Sequence, residues 1–412
     1  MDLTQITPYG AEAPHSPHNA WLCAAIAIPA RNEAARLPAC LDALAQQHIR
    51  GSGCVALSNI AVLVLANGCV DGTASLARAL APSLPFRLVV REVALPSALA
   101  HAGGARRAAM DAAAALLEAS AAPSHAALLS TDADSRAEPG WLAANLAALA
   151  AGADAVAGAI LPEPEEAARL PAALLQQEAN EARYAALLDE MAALVDPDPH
   201  DPWPRHSAHS GASIALTLGA YRRVGGLPPV PVGEDRALFD ALTQAEMRVR
   251  HCPAARVTVS CRLDGRAAGG MADTLRQRLT EGDAAPLDPR LEPALHTLRR
   301  LRCRRALRRL RAGIPRPGDP WRLAMALGLT AEELVAIARL SHFWQSWEAL
   351  QARAWPLCRR RRLRAGELAV ETARAAAILL TLRGARTIIG PRRLPARRTA
   401  DRAGSTRSAT AT

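Results

Sequence analysis

Between residues 23 and 160, short apolar runs alternate with stretches of helical character, and this alternation leaves few folds open to the chain. The runs lie at 23–29, 60–66, 87–93, 126–130 and 155–160, and helical stretches fill 33–47, 73–80, 104–118 and 139–150 between them. Most of the runs are apolar throughout rather than alternating, so they predict strands covered on both faces. Strands separated by helices of this length pair in parallel. The expected fold class is α/β, with a mostly parallel mixed sheet flanked by helices.

Beyond residue 160 the rhythm breaks. Residues 165–194 read as one or two helices. Residues 196–204 (D-P-D-P-H-D-P-W-P) place four prolines in nine positions, which excludes regular structure and predicts a loop, with a lid as one role for it. Strand signals return at 212–216 and 249–259. Between them Gly233-Glu234-Asp235 opens a helix over 236–245. From about Gly265 the character changes again. Residues 299–311 form a dense basic helix, Leu334, Ile337, Trp344 and Trp347 recur at helical spacing, and another helix is expected over 367–382. The division that follows is an arm at 1–20, an α/β domain at 21–265, a helical extension at 266–383 and a disordered basic tail at 384–412.

Composition bounds the partners. The chain has 412 residues, is 50% hydrophobic and carries a net charge of +10, with no lysine at all. That balance points to an anionic partner: phosphate, nucleotide, nucleic acid or an acidic membrane surface. The eight cysteines form no C-x-x-C pair, which argues against a zinc site. The first twenty residues lack an apolar leader segment, and no run of 18 apolar residues exists, so a cytoplasmic chain with reduced thiols is expected.

The chemistry gathers at the ends of the strands. Asp132 and Asp134 follow the run ending at Ser130, where open α/β sheets bind ligands. Two acids on one tight turn repel unless a cation lies between them, and Mg²⁺ or Mn²⁺ takes one or two carboxylates together with substrate phosphates. A solvated turn is the plain alternative. Ile28-Pro29-Ala30-Arg31-Asn32-Glu33 ends the first strand, and Asn67-Gly68-Cys69-Val70-Asp71-Gly72-Thr73 ends the second, at the same sheet edge. For these the alternative is an ordinary turn with Thr73 as helix cap.

The ordered set I-P-A-R-N-E, N-G-C-V-D-G-T, T-D-A-D-S, G-A-S-I-A-L with Y-R-R-V-G-G-L, and G-E-D resembles the family 2 glycosyltransferases of the GT-A fold, over residues 21–262. The resemblance implies a nucleotide-sugar donor, UDP-sugar by default, a divalent metal ion as cofactor, a hydroxyl acceptor and inversion at the anomeric carbon. It places Pro29 and Glu33 at the nucleoside end of the cleft, Asp71 near the base, and Arg106 at the helix before the metal strand. Asp132 faces the ribose or diphosphate and the metal, Asp134 binds the metal, and Asp235 is the general base. Glu234, His209 and Arg262 are candidate acceptor or phosphate contacts. A sugar hydroxyl is a poor nucleophile, so a carboxylate must take its proton. The run Arg276-Gln277-Arg278-Leu279 departs from the Q-x-x-R-W of processive members, which implies single transfers.

Rival readings are a nucleotidyltransferase, for which I-P-A-R-N-E lacks the glycines, and an inactive sugar-nucleotide sensor or an Arg-rich membrane or nucleic-acid adaptor. Stacking aromatics are too scarce for a chain built around nucleic acid. The helix at 299–311 is either a solvated face or a contact with nucleic acid or with anionic lipid at the inner face of the membrane. His206, His209 and His251 are either acceptor or metal contacts or ordinary packed histidines.

Overall fold

Strand β1 (Ala24–Ala30) is buried along almost its whole length, as its apolar run requires. In the computed structural model, which describes residues 22–49, 56–265, 269–315, 318–358 and 360–389, it is followed by α1 (Leu37–Ala45), β2 (Ile60–Asn67), α2 (Thr73–Leu80) and β3 (Arg87–Val93). Next come α3 (Ala102–Ala119), β4 (Ala127–Ser130), β5 (Arg136–Ala137), α4 (Trp141–Ala150) and β6 (Ala155–Pro162). Then follow α5 (Pro164–Ala167), α6 (Ala172–Val195), β7 (Ile214–Thr217), α7 (Leu218–Arg223), α8 (Glu234–Gln244), β8 (Val249–Val259) and α9 (Met271–Glu281). The helix expected from residue 33 begins at Leu37, because Pro38 fixes its first turn and residues 33–36 form the turn before it.

The eight strands form one mixed sheet in the order β3-β2-β1-β4-β7-β6-β8-β5. β1 pairs in parallel with β2 and β4, and β2 with β3. β7 runs antiparallel to both β4 and β6, β8 lies parallel to β6, and the two-residue β5 closes antiparallel on β8. The register sets Ala30 opposite Ala66 and Ala27 opposite Ser130, so the polar ends of β1, β2 and β4 emerge at one edge. β5 and α7 carry no signal in the sequence, since each is too short to establish a period.

Two apolar layers sandwich the sheet. On one face Ile26, Ile28, Val62 and Leu129 pack against Leu37 and Leu41 of α1 and Trp141 and Leu142 of α4. On the other, Leu63, Leu128 and Ile214 meet Met110 and Leu117 of α3 and Leu238 and Phe239 of α8. Full burial of a Leu or Ile side chain contributes about 1.5–3 kcal/mol, so these layers hold the sheet edge in place.

The C-terminal region is helical: α10 (Ala294–Arg311), α11 (Asp319–Leu327), α12 (Ala331–Ala338), α13 (Phe343–Arg353), α14 (Trp355–Cys358) and α15 (Leu368–Ile389). α6 carries the join, packing Tyr184 and Met191 against Leu298 and Leu301 of α10 and Leu379 of α15. The helical pattern over 332–351 resolves into two helices. Thr330 and Glu333 form a reciprocal cap that starts α12, and the Arg311 guanidinium draws the carbonyls of Ala338 (2.9 Å) and Ser341 (3.2 Å) out of a continuing ladder.

The basic helix α10 is not a free solvated face. Arg300 donates to Glu292 (3.1 Å) and Gln351 (2.8 Å), Arg304 and Arg308 converge on Asp196, and Arg305 donates to the Val195 carbonyl at 2.9 Å. The proline-rich loop after α6 is thereby packed. Its Asp196 and Asp201 are only 3% and 4% exposed, so the loop is anchored at these two points. α15 runs through residues 384–389, where the tail was expected to start; residues 390–412 and the arm at 1–20 lie outside the described residues. Cys23 is disulfide-bonded, against the expectation of reduced thiols, because sequence spacing does not reveal which sulfurs meet in space. No helix among the described residues is long and apolar enough to cross a membrane.

Candidate active site

A cavity of about 530 Å³ opens at the ends of β1 and β4, and Pro29, Glu33, Arg106, Asp132, Asp134 and Arg262 all line it. Six of the candidates read from the sequence therefore share one cleft.

Arg106 is its hub. It lies on α3 one turn past His101, whose Nδ1 accepts from the Gly104 backbone N–H at 3.1 Å and caps the helix. Its guanidinium donates to Asp132 Oδ1 (2.7 Å), Glu234 Oε1 (3.0 Å), Ser130 Oγ (3.1 Å) and the Gly211 carbonyl (2.8 Å). Burial disfavours the cation, but the charges of Asp132 and Glu234 outweigh it and hold the group protonated. Position 211 must be glycine for this, since a Cβ there would stand 2.4 Å from the guanidinium carbon. Ser130 and Gly211 are site residues that the sequence reading missed. Ser130 had a signal, a hydroxyl ending an apolar strand; Gly211 opens the G-A-S-I-A-L motif, but nothing local marked its carbonyl as an acceptor.

Asp134 lies beside a second cation. Arg262 Nη2 is 2.9 Å from Asp134 Oδ2, and the same guanidinium grips both oxygens of Glu33 at 2.6 and 3.1 Å. Burial, then repulsion from Asp132, pushes the Asp134 carboxyl up to about 6, against the pull of Arg262. Among the described residues no group of three or more His, Cys, Asp or Glu gathers as a metal cluster. Asp134 and the second oxygen of Asp132 nonetheless fit a hard divalent ion, because such ions complete their shell with phosphate and water.

Asp71 stands outside the cleft wall. Its carboxylate accepts from the Ala34 N–H (2.9 Å) and the Thr73 N–H (3.0 Å), and Thr73 Oγ1 accepts in turn from the Glu33 N–H at 2.9 Å. Slight burial opposes ionisation of Asp71, and these hydrogen bonds prevail, holding it below the usual range. It braces the loops after β1 and β2 and so fixes Glu33.

Glu234 and Asp235 begin α8, whose cap Gly233 adopts φ 75°. Glu234 is buried and committed to Arg106. Asp235 is half-buried, and desolvation pushes its carboxyl up against a 2.7 Å hydrogen bond from the Arg236 N–H. It is not itself in the cleft wall; Pro231 and Val232, just before it, are.

His209 precedes the wall residue Ser210. Its ring stacks on Phe239, one turn along α8 from Asp235, with centroids 4.4 Å apart. Its Nε2 is 3.0 Å from His251 Nε2, and His251 Nδ1 is 2.9 Å from Asp201 Oδ2. The three histidines thus form a packed cluster anchored on the proline-rich loop, beside the cleft.

A mixed sheet with paired acids at its strand ends, joined by a buried arginine to an acidic helix start, is the arrangement that the GT-A resemblance in the sequence leads one to expect. Residues 25–191 match the family described as Glycosyl transferase family 2, and the match supports a glycosyltransferase. No curated protein matches the chain. Among solved structures it is similar to the mannosyltransferase PcManGT from Pyrobaculum calidifontis in complex with GDP-Man and Mn²⁺, at 18% identity over 90% of this chain and 86% of that one, with a TM-score of 0.38. It is also similar to S. aureus TarS 1–349 in complex with UDP-GlcNAc, at 13% identity over 80% and 90% of the two chains, with a TM-score of 0.40.

Proposed function

We propose that the cleft moves one sugar at a time from a nucleoside-diphosphate sugar to a hydroxyl acceptor, with inversion and with help from Mg²⁺ or Mn²⁺. The observation that carries this reading is the Arg106 bridge, which ties Asp132 in the donor cleft to the helix start bearing Asp235.

Pro29 and Glu33 form the nucleoside end of the cleft, where Asp71 sets their loop, and a UDP-sugar is the default donor. Asp134, with the second oxygen of Asp132, would hold the divalent ion, which would offset the charge of the departing diphosphate. Arg106 donates to Asp132 and fixes its rotamer. Arg262 lies at the phosphate end. Asp235 takes the proton from the acceptor hydroxyl at a carboxylate oxygen, and its upward-shifted carboxyl brings it nearer to a useful base strength. Glu234, committed to Arg106, positions Asp235 and does not contact the acceptor.

Thermal shift with UDP-sugars and Mn²⁺, read beside a transfer assay, tests this, because a ligand that binds only the folded state raises its stability. Asp235→Asn keeps the donor-induced shift and loses transfer by about a hundredfold or more. Asp134→Ala loses the Mn²⁺-dependent part of the shift. Normal turnover in Asp235→Asn removes that residue as base, and a donor shift with no turnover in the parent chain leaves only a binding protein.

A further inference from the structure

Helix α11 shows two large apolar side chains to solvent on one face, Trp321 and Met325, 63% and 64% exposed. Its opposite face buries Leu323, Ala324 and Leu327 in the core that also holds Leu357 of α14. α14 packs beside α11, and its Trp355 is 74% exposed, the most exposed tryptophan of the described chain. The exposed side chains of both helices lie opposite the same apolar core. Ile314, in the turn leading from α10 towards α11, adds a further exposed apolar side chain.

The sequence around this face is strongly basic. Trp355-Pro356-Leu357-Cys358 runs directly into Arg359-Arg360-Arg361-Arg362, with Arg353 before it and Arg322 next to Trp321. Arg322, Arg353 and Arg362 are exposed, and so are Arg360 and Arg361, which pair with Glu292 at 3.6 Å and with Glu367 respectively. Exposed tryptophan flanked by arginine is the pattern of a surface that sits at headgroup level in an anionic bilayer, with the ring at the acyl boundary and the cations on the phosphates.

Charge decides between the occupants. Residues 390–412 carry arginines at 392, 393, 397, 398, 402 and 407 against a single Asp401, so that segment would meet the face with like charge. A second copy related by a two-fold axis would bring the same arginines together. A nucleic acid satisfies the arginines and leaves Met325 and Ile314 with nothing apolar to enter.

We propose that the α11–α14 face docks the chain on an anionic lipid bilayer, through Trp321, Met325 and Trp355 with the adjoining arginines. This differs from contact through α10, whose arginines are largely engaged with the protein itself. It is independent of the transfer chemistry, so its test reads binding alone.

The test is cosedimentation of the full chain with vesicles of phosphatidylcholine alone or mixed with phosphatidylglycerol, at low and high salt. The chain is expected to sediment with the mixed vesicles only, and less at high salt. Each of Arg322→Ala, Arg353→Ala and Arg362→Ala is expected to weaken binding by about fivefold. Trp321→Ser and Trp355→Ser, whose side chains are mostly in water and whose loss leaves the core intact, are expected to reduce it severalfold each with unchanged thermal melting. Equal binding to neutral vesicles, or full binding by the double tryptophan variant, overturns the proposal. So does a concentration-dependent dimer abolished by the same two substitutions, or duplex DNA binding lost with them.

Discussion

Arg106 and Glu234 are 128 residues apart in the chain, yet their side chains meet at 3.0 Å beneath the cleft, both buried. The pair joins α3 to the first residue of α8. Its other arm reaches Asp132 at 2.7 Å, so one guanidinium ties the turn after β4 to the start of α8.

Removing that guanidinium leaves a buried carboxylate at Glu234 without its partner. Arg106→Ala is expected to lose about 3–5 kcal/mol of stability, the usual cost of breaking a buried pair from one side. Arg106→Lys is expected to recover little, because an ammonium cannot serve four acceptors set out for a planar fork. Chemical denaturation measures both, and a Lys variant as stable as the parent would falsify the bridging role.

Gly211→Ala probes the same bridge from the other side. The added Cβ would stand 2.4 Å from the guanidinium carbon, so the arginine must move or the loop must shift. A loss of about 1–3 kcal/mol is expected, as for other overpacked sites. In Arg106→Ala the guanidinium is gone, and the same glycine substitution is expected to be nearly neutral. A double-mutant cycle by thermal melting checks this coupling; additive losses would show that the glycine answers to something else.

How far the sequence disclosed this site depends on the distance over which each feature acts. Pro29, Glu33, Asp132 and Asp134 were legible because each ends a strand, and parallel register brings strand ends together whatever lies between. The Arg106 bridge to Glu234 and the Gly211 carbonyl was not, since nothing local marks which acceptors a long side chain will find. The same holds for the break between α12 and α13. Helical spacing runs across residues 339–342 undisturbed, and only the distant Arg311 interrupts it. The arginines of α10 read as a solvated or lipid-facing stripe until Asp196 and Glu292 are seen to meet them. Charge counts give sign and density, not the partner.

The histidine cluster makes the fold sensitive to acid. Burial, then the proximity of His251, lowers His206 to about 4 and His209 to about 3. Arg290 and Arg236 oppose protonation of His209, while Asp201 favours it at His206. Unfolded histidines bind protons near pH 6.5, so the unfolded state gains protons first as the solution is acidified. The stability these residues contribute is complete above pH 6.5 and is lost progressively as pH falls from there towards 4. Asp201, lowered to about 2 despite its burial by hydrogen bonds and charge from His251, adds a further loss below about pH 3.9. Melting temperature followed from pH 7.5 to pH 4.5 is expected to fall, and less steeply in His209→Gln. An unchanged slope would show that His209 is not the group being protonated.

On the proposed reading, Arg262 competes with a divalent ion for Asp134. Its Nη2 already lies 2.9 Å from Asp134 Oδ2 while the rest of the guanidinium grips Glu33, so an ion binding at Asp134 must displace that contact. Arg262→Ala removes the competitor and is expected to raise the affinity for Mn²⁺ alone by about fivefold, the equivalent of a partly exposed ion pair of about 1 kcal/mol. The donor responds in the opposite sense, because the phosphate end of the cleft loses a cation: UDP in the presence of Mn²⁺ is expected to bind more weakly by about tenfold. Titration calorimetry with Mn²⁺ alone and then with UDP separates the two effects. If Mn²⁺ binds parent and variant alike, the guanidinium and the ion do not share Asp134; if UDP also binds alike, Arg262 serves only to hold Glu33.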